Sequence, residues 1–88
     1  MDSKQFLKIS KALADPRRYD ILKRIASEDE LACHDVLCKL PITAATLSHH
    51  LKELNNAGLI DVRKDSKFMH MKLRRKIWRE YVKQLKAL

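Results

Sequence analysis

Hydrophobic residues recur at helical spacing through the first half of the chain and predict several helices there. The first helix covers residues 3–13. The second begins at Pro16, because proline is favoured at the first helical position, and runs to about Ala26. A short third helix covers residues 34–40, and Pro41 ends it because proline cannot continue a helix.

A fourth helix follows Thr43, whose hydroxyl can cap the free backbone N–H groups of the first turn. Gly58 stands where this helix should stop, since glycine readily adopts the left-handed conformation of a helix end. The inward face carries three leucines, Leu47, Leu51 and Leu54. His50 lies at the border of that face, and we expect it to pack in the core.

The pattern changes after the fourth helix. Hydrophobic residues alternate with charged ones between residues 59 and 73, and a turn at residues 65–66 predicts a hairpin of two short strands. Residues 75–88 return to the helical period with a wide apolar face. The order helix, helix, helix, helix, strand, strand, helix predicts a mainly α fold with a small β-hairpin.

Composition agrees with a single helical domain over residues 1–88 and adds a strong positive charge. Nineteen Lys and Arg against eleven Asp and Glu give a formal net charge of +8. That charge favours a polyanionic partner, nucleic acid before an anionic membrane. No segment reaches the roughly 20 apolar residues of a membrane span, and the first residues lack an apolar signal segment. We therefore expect a cytoplasmic protein with no membrane partner.

The third and fourth helices are joined by only Pro41 and Ile42, a short connection typical of a helix-turn-helix. The second helix of such a pair enters the major groove of DNA, where base edges require short side chains with donors and acceptors. The outward face of the fourth helix offers such residues, namely Ala45, Thr46, Ser48, His49 and Lys52. An ordinary solvent-exposed face is the alternative, but such faces usually carry charges earlier than Lys52.

The predicted hairpin supplies a second possible contact to DNA. Arg63, Lys64 and Lys67 surround its turn, so the hairpin can act as a wing whose tip contacts phosphates beside the groove. Lysine on an edge hairpin can also serve only to discourage aggregation. Helix and wing together, in a chain of this charge, indicate a winged helix-turn-helix that binds double-stranded DNA.

Three segments resemble the ArsR-type (arsenic-repressor-like) bacterial regulators: ALADPRRYDILKRIA, ITAATLSHHLKELNNAGLI and VRKDSKFMHMKL. The similarity covers roughly residues 6–85 of the chain. It implies a dimeric winged helix that represses an adjacent operon until an inducer relieves repression. The sequence does not identify that inducer.

The resemblance also implies which residues contact DNA. The groove-reading positions are Thr43, Ala44, Ala45, Thr46, Ser48 and His49, and the wing positions are Arg63, Lys64 and Lys67. Many members of the family have Gln and Pro where this chain has Ala44 and Ala45, so two possible polar contacts are absent.

The first and last helices carry more apolar surface than the core of one protomer can cover. The residues concerned are Phe6, Leu7, Trp78, Tyr81, Val82, Leu85 and Leu88. Burial of half of them within one protomer is the alternative to association. We expect a two-fold homodimer whose interface is formed by residues 3–13 and 75–88, and an inverted-repeat operator.

Cys33 and Cys38 are the only cysteines and the candidate sensing residues. The metal-responsive members of the resembled family use a Cys-x-Cys pair near the third helix, where this chain has Ala32 and His34, or Asp and His ligands on the last helix, which here has neither. In helical geometry the two cysteines point about 140° apart, which opposes a shared ion or a disulfide.

We therefore expect no metal and no other cofactor. Three interpretations of the cysteines stay open: inert thiols, a thiol-redox switch, or a metal site that also uses His34 and Asp35.

No sequence motif of catalysis is present, since the chain lacks a Gly-rich phosphate loop, a nucleophile elbow and a carboxylate pair. The sequence thus predicts a DNA-binding transcriptional regulator rather than an enzyme, and the resemblance implies that it is a repressor. A winged-helix module for protein interaction is the alternative, against which the polar outer face of the fourth helix argues.

Overall fold

The computed structural model describes all 88 residues and contains five helices and three strands. The helices are α1 (Ser3–Leu13), α2 (Pro16–Ala26), α3 (Cys33–Lys39), α4 (Ala44–Asn56) and α5 (Arg75–Lys86). The strands are β1 (Leu31–Ala32), β2 (Ile60–Asp65) and β3 (Phe68–Leu73). The predicted fold class is confirmed, with β1 as an additional strand. No helix is long and apolar enough to cross a lipid bilayer.

Side-chain caps determine where three helices begin. Asp2, Asp15 and Thr43 each accept a hydrogen bond from the backbone N–H three residues later, at 2.7, 2.9 and 3.1 Å. Each bond satisfies one of the N–H groups that a helix start leaves without an intrahelical partner. The starts of α1, α2 and α4 therefore fall where these local signals predict them.

Gly58 forms the joint between α4 and β2. Its φ of 81° is the left-handed conformation expected of a residue that stops a helix. A Cβ atom at this position would lie 2.7 Å from Nε2 of Gln5, so α1 covers the joint closely. The left-handed conformation is what favours glycine here.

The core is one apolar cluster in which all five helices meet the sheet. Its largest fully buried side chains are Ile9, Ile21, Ile25, Val36, Leu47, Leu54, Leu59, Ile60 and Met71. The three inward leucines of α4 are at most 3 % exposed, as their spacing predicted. Each buried side chain of this size stabilises the fold by about 1.5–3 kcal/mol relative to exposure.

The sheet has three strands rather than the two predicted. β2 and β3 form the expected hairpin, with Asp65 opposite Phe68 and with Ser66 in the turn at a φ of 56°. β1 pairs with β3 through Leu31 and Ala32, so the strand order is β1–β3–β2. A strand of two residues is too short to show an alternating pattern, which is why the sequence did not indicate it. We call β2, β3 and their turn the wing.

The connection between α3 and α4 is longer than predicted. α3 begins at Cys33, one residue early, and ends at Lys39, so residues 40–43 form the link instead of two residues. Leu40 is extended, with φ −117° and ψ 140°, because a residue before a proline is disfavoured in the helical conformation. Pro41 therefore ends α3 at Lys39, one residue earlier than predicted.

Tyr81 lies in the core of the protomer, which corrects its predicted place on the dimer surface. Its side chain is only 5 % exposed, and its ring packs on Phe6 with the centroids 4.9 Å apart. The hydroxyl groups of Tyr81 and Ser10 are hydrogen-bonded at 2.9 Å. The centre of the apolar face of α5 is thus occupied by α1 of the same chain.

His50 is the one polar side chain buried in this core, at 8 % exposed, which confirms its predicted packing role. Its Nδ1 atom has no hydrogen-bond partner within the chain. Burial lowers the pKa of His50 below its ordinary value of 6.5, while the nearby carboxylate of Asp15 acts in the opposite direction. The neutral imidazole is therefore the form that the core favours.

We expect the free energy of unfolding to decrease through His50 as the pH falls from about 7 to about 5. Because its pKa is lower in the folded state, the unfolded chain takes up the proton first, which favours unfolding. The stability contributed by neutral His50 is complete above the unfolded pKa of about 6.5 and is lost as the pH falls toward the folded pKa.

Urea denaturation at a series of pH values measures this dependence. His50→Gln stays neutral throughout, so its stability should vary less with pH than that of the wild type. His34→Gln, at an exposed position of α3, serves as the control and should keep the wild-type dependence. Equal pH dependence in His50→Gln and the wild type would contradict the prediction.

Candidate nucleic-acid interface

The outward side of α4 is accessible along its whole length. The predicted groove residues are all exposed: Thr43, Ala44, Ala45, Thr46, Ser48, His49 and Lys52. Ala45, His49 and Lys52 follow one another at spacings of four and three residues, so they form one line along the helix. That line lies opposite the buried leucines, and the fold therefore places these side chains on a single face.

Thr43 has a structural role at the start of this face. Its Oγ1 accepts the backbone N–H of Thr46 and donates to the Thr46 hydroxyl at 3.0 Å. Ser48 and His49 stand one turn further along and are exposed. The hydroxyl of Ser48 and the imidazole of His49 can each donate or accept a hydrogen bond. The first two turns of α4 thus combine a fixed start with two versatile polar groups.

The three cations around the turn of the wing differ in their surroundings. Arg63 forms an ion pair with Glu30, and a second guanidinium nitrogen lies 3.7 Å from a carboxylate oxygen of Asp65. Lys64 and Lys67 are exposed and belong to no ion pair of the chain. The sequence grouped all three as phosphate contacts, but the structure holds Arg63 against the protein.

Glu30 connects the segment before β1 to the wing. Its carboxylate contacts Arg63 and lies 3.5 Å from Nδ1 of His70. The hydrogen bond from Arg63 lowers the pKa of Glu30, and the same contact raises the pKa of Arg63, so both groups are charged at neutral pH. His70, to which the sequence assigned no role, joins the cluster because it stands opposite both Ala32 and Arg63 in the sheet.

The two cysteines are free and lie in different surroundings. Cys33 is half-buried, with its Sγ 3.2 Å from the sulfur of Met71, and burial raises the pKa of its thiol. Cys38 is exposed, with its Sγ 3.5 Å from Nε2 of His34. No three His, Cys, Asp or Glu side chains are placed to hold one metal ion. Cys38 is therefore the accessible thiol.

The apolar residues assigned to a dimer surface fall into two groups besides Tyr81. Leu7 on α1 and Leu85 on α5 are 63 % and 42 % exposed, and Leu88, beyond the end of α5, is fully exposed. Three others are half-buried, namely Phe6, Trp78 and Val82. Since α1 and α5 pack together through the Phe6–Tyr81 contact, Leu7 and Leu85 belong to one helix pair.

Comparison with known sequences identifies the family. Residues 13–63 match the model of a helix-turn-helix domain. The uncharacterized HTH-type transcriptional regulator YceK of Bacillus subtilis is 39 % identical over 75 residues, which cover 84 % of this chain and 75 % of that protein.

Two resistance regulators are also similar. The cadmium resistance transcriptional regulatory protein CadC of Listeria innocua is 37 % identical over 60 residues, or 68 % of this chain and 50 % of CadC. The arsenical resistance operon repressor of Staphylococcus xylosus is 37 % identical over 65 residues, or 74 % of this chain and 62 % of the repressor. The chain thus spans about half the length of the cadmium regulator that it matches.

Solved structures share the fold. An ArsR-like transcriptional regulator from Rhodococcus superposes with a TM-score of 0.83 at 18 % identity, covering 96 % of this chain and 78 % of that one. The homodimeric winged helix-turn-helix DNA-binding domain Mb0332 of Mycobacterium bovis, a possible ArsR-family regulator, gives 0.78 at 26 % identity, covering 96 % and 79 %. The resemblance seen in the sequence is confirmed, and the chain belongs to the ArsR family of winged helix-turn-helix transcriptional regulators.

Proposed function

We propose that this chain is a repressor that binds duplex operator DNA as a homodimer, in the cytoplasm of a bacterial cell. The observation that carries the proposal is the exposed polar face of α4 beside a wing with two accessible lysines. The similarity to an arsenical resistance operon repressor supports repression, and the homodimeric Mb0332 domain supports a two-fold assembly.

In this proposal the first two turns of α4 distinguish one base pair from another. The major groove presents a different set of donors, acceptors and methyl groups for each base pair. Ser48 and His49 supply donors and acceptors, whereas Ala44 and Ala45 can offer only apolar contact, for instance with a thymine methyl group. Ser48 and His49 therefore carry a large share of the sequence discrimination, and Lys52 follows them on the same face.

The wing fixes the position of the protein on the DNA backbone. Lys64 and Lys67 are exposed and can contact phosphates, which carry no sequence information. Arg63 is instead held by Glu30 and Asp65, so we assign it to positioning the wing rather than to the first phosphate contact. The wing residues of the sequence hypothesis thus separate into two lysines that bind and one arginine that orients.

The dimer is assigned to α1 and α5, with Leu7 and Leu85 as its exposed apolar residues and with Trp78 and Val82 partly available. A two-fold axis between two such helix pairs presents two α4 helices to one side of a duplex. The matching operator is an inverted repeat whose half-sites lie about one DNA turn apart.

Variants of α4 and of the wing should affect DNA binding differently. We expect Ser48→Ala and His49→Ala each to weaken operator binding by about 1–3 kcal/mol, with little change on random duplex. Lys67→Ala should weaken both by a similar factor and reduce the slope of log affinity against log salt by about one per protomer. Gel-shift titrations on an operator selected from random duplex measure both effects. Equal loss on both duplexes in His49→Ala would contradict the assignment of α4.

Release of Arg63 should strengthen binding to any duplex. Glu30→Gln removes the charge that holds the guanidinium, so random-duplex affinity should rise and its salt slope should steepen by about one per protomer. Asp29→Asn removes the same charge at an exposed neighbouring position and should leave the slope as in the wild type. Weaker binding by Glu30→Gln would show instead that the ion pair itself is needed to present the wing.

Polar substitution of the exposed leucines should separate the protomers. We expect Leu7→Gln combined with Leu85→Gln to sediment as a monomer at micromolar concentration, because both substitutions remove apolar contact area from the assigned interface. Tyr19→Gln, at a site on α2 that is 48 % exposed, is the control and should remain dimeric. Circular dichroism verifies folding, and a dimeric double variant would place the interface elsewhere.

A further inference from the structure

A basic groove borders the last turn of α4 on the side formed by α1 and α2. It encloses about 330 Å³, and its polar lining consists of Lys8, Lys11, Arg18, Glu53 and Asn56. A second depression shares Lys8 and Asn56 with it and extends along α1 to Lys4 and Gly58, where the carboxylate of Asp2 also lines it. Neither the wing nor α3 contributes to this surface.

The groove carries an excess of positive charge that no ion pair within the chain offsets. Three cations line its main cavity beside one carboxylate, that of Glu53, and none of the three belongs to an ion pair of the chain. At the wing, by contrast, Arg63 is paired with two carboxylates, those of Glu30 and Asp65. Asp15 also lies near Arg18, but it accepts the backbone N–H of Arg18 as the cap of α2. The cations of the groove are thus free to bind an external anion.

Arg18 is held in place within the groove. Its Nε donates a 2.9 Å hydrogen bond to the carbonyl oxygen of Ala12, at the end of α1. The two terminal nitrogens remain available, and a guanidinium presents them in a planar fork that suits phosphate oxygens. Because its Nε is already bonded, Arg18 loses less side-chain freedom on binding than an unrestrained arginine.

The groove is continuous with the face of α4 that we assign to the major groove. Asn56 follows His49 by seven residues and Lys52 by four, so all three share the outward line of the helix. The major groove of B-DNA is about 12 Å wide and bordered by phosphates on both sides. A helix inserted there has a phosphate backbone along each flank, and the groove lies along the flank formed by α1 and α2.

We propose that this groove binds phosphates of the same duplex through Lys8, Lys11 and Arg18. Each protomer then contacts the DNA backbone through residues outside the wing, on the flank of α4 formed by α1 and α2. The inference rests on the proposed function, since it requires α4 to enter the major groove. The contact is independent of base sequence, because phosphates do not differ between base pairs.

The test compares two charge-matched double variants. Lys8→Gln with Lys11→Gln removes two exposed cations of the groove, and Lys83→Gln with Lys86→Gln removes two exposed cations at the same spacing on α5. Circular dichroism and sedimentation first establish that both variants fold and associate as the wild type does. Gel-shift titrations on selected and random duplex across a range of salt then give the slopes.

The groove variant should bind both duplexes more weakly by a similar factor, with the salt slope reduced by about two per protomer. The α5 variant should keep the wild-type slope. Equal slopes in the groove variant and the wild type, with operator selectivity still lost in Ser48→Ala, would overturn the groove and leave the proposed function intact. Wild-type binding that does not vary with salt would overturn both.

Titration with inorganic phosphate distinguishes the DNA backbone from a free anion. Phosphate binding to the wild type that is lost in the groove variant, while the duplex affinity stays unchanged, would assign the groove to a small anionic ligand and overturn the DNA contact. Competition between phosphate and duplex in the wild type, absent from the groove variant, would support it.

Discussion

Burial of one face of α4 is the constraint on which the rest of the structure depends. Leu47, Leu51 and Leu54 are at most 3 % exposed, and they fix the rotation of the helix about its own axis. Thr43 and Gly58 fix its two ends. Since residues on a helix stand at set angles to one another, the same packing decides which side chains face outward. The accessible face of α4 is therefore a direct result of its buried face.

Polar contacts in this protein hold charged side chains in position more than they increase the free energy of unfolding. The pair formed by Glu30 and Arg63 is exposed, so solvent screening leaves it only a small contribution to the free energy of unfolding. Its importance lies in joining the segment before β1 to β2, with His70 on the intervening strand. In the same way, the bond from Arg18 to Ala12 holds a cation beside α4. Both contacts decide where a positive charge is presented.

Local signals in the sequence predicted the helices, whereas contacts between distant segments could not be predicted. Asp15 and Pro16 mark the start of α2 within a few residues, so the sequence alone placed that helix correctly. Arg63 meets Glu30 only because β1 pairs with β3, and no pattern of two residues reveals that pairing. Likewise, the period of α5 placed Tyr81 on an apolar face but could not show that α1 of the same chain covers it.

Gly58 is the joint between α4 and the wing, the two elements that we propose to contact DNA. The direction in which β2 leaves α4 is set at this residue, whose φ of 81° few other residues adopt. The side chain of Gln5 lies directly over it. Gln5 belongs to α1, one of the two helices that we propose contact the partner protomer. In the proposed dimer, the angle between α4 and the wing is therefore set beside the interface. The proposed association surface and the shape proposed to meet DNA thus adjoin at one residue, which has no side chain of its own.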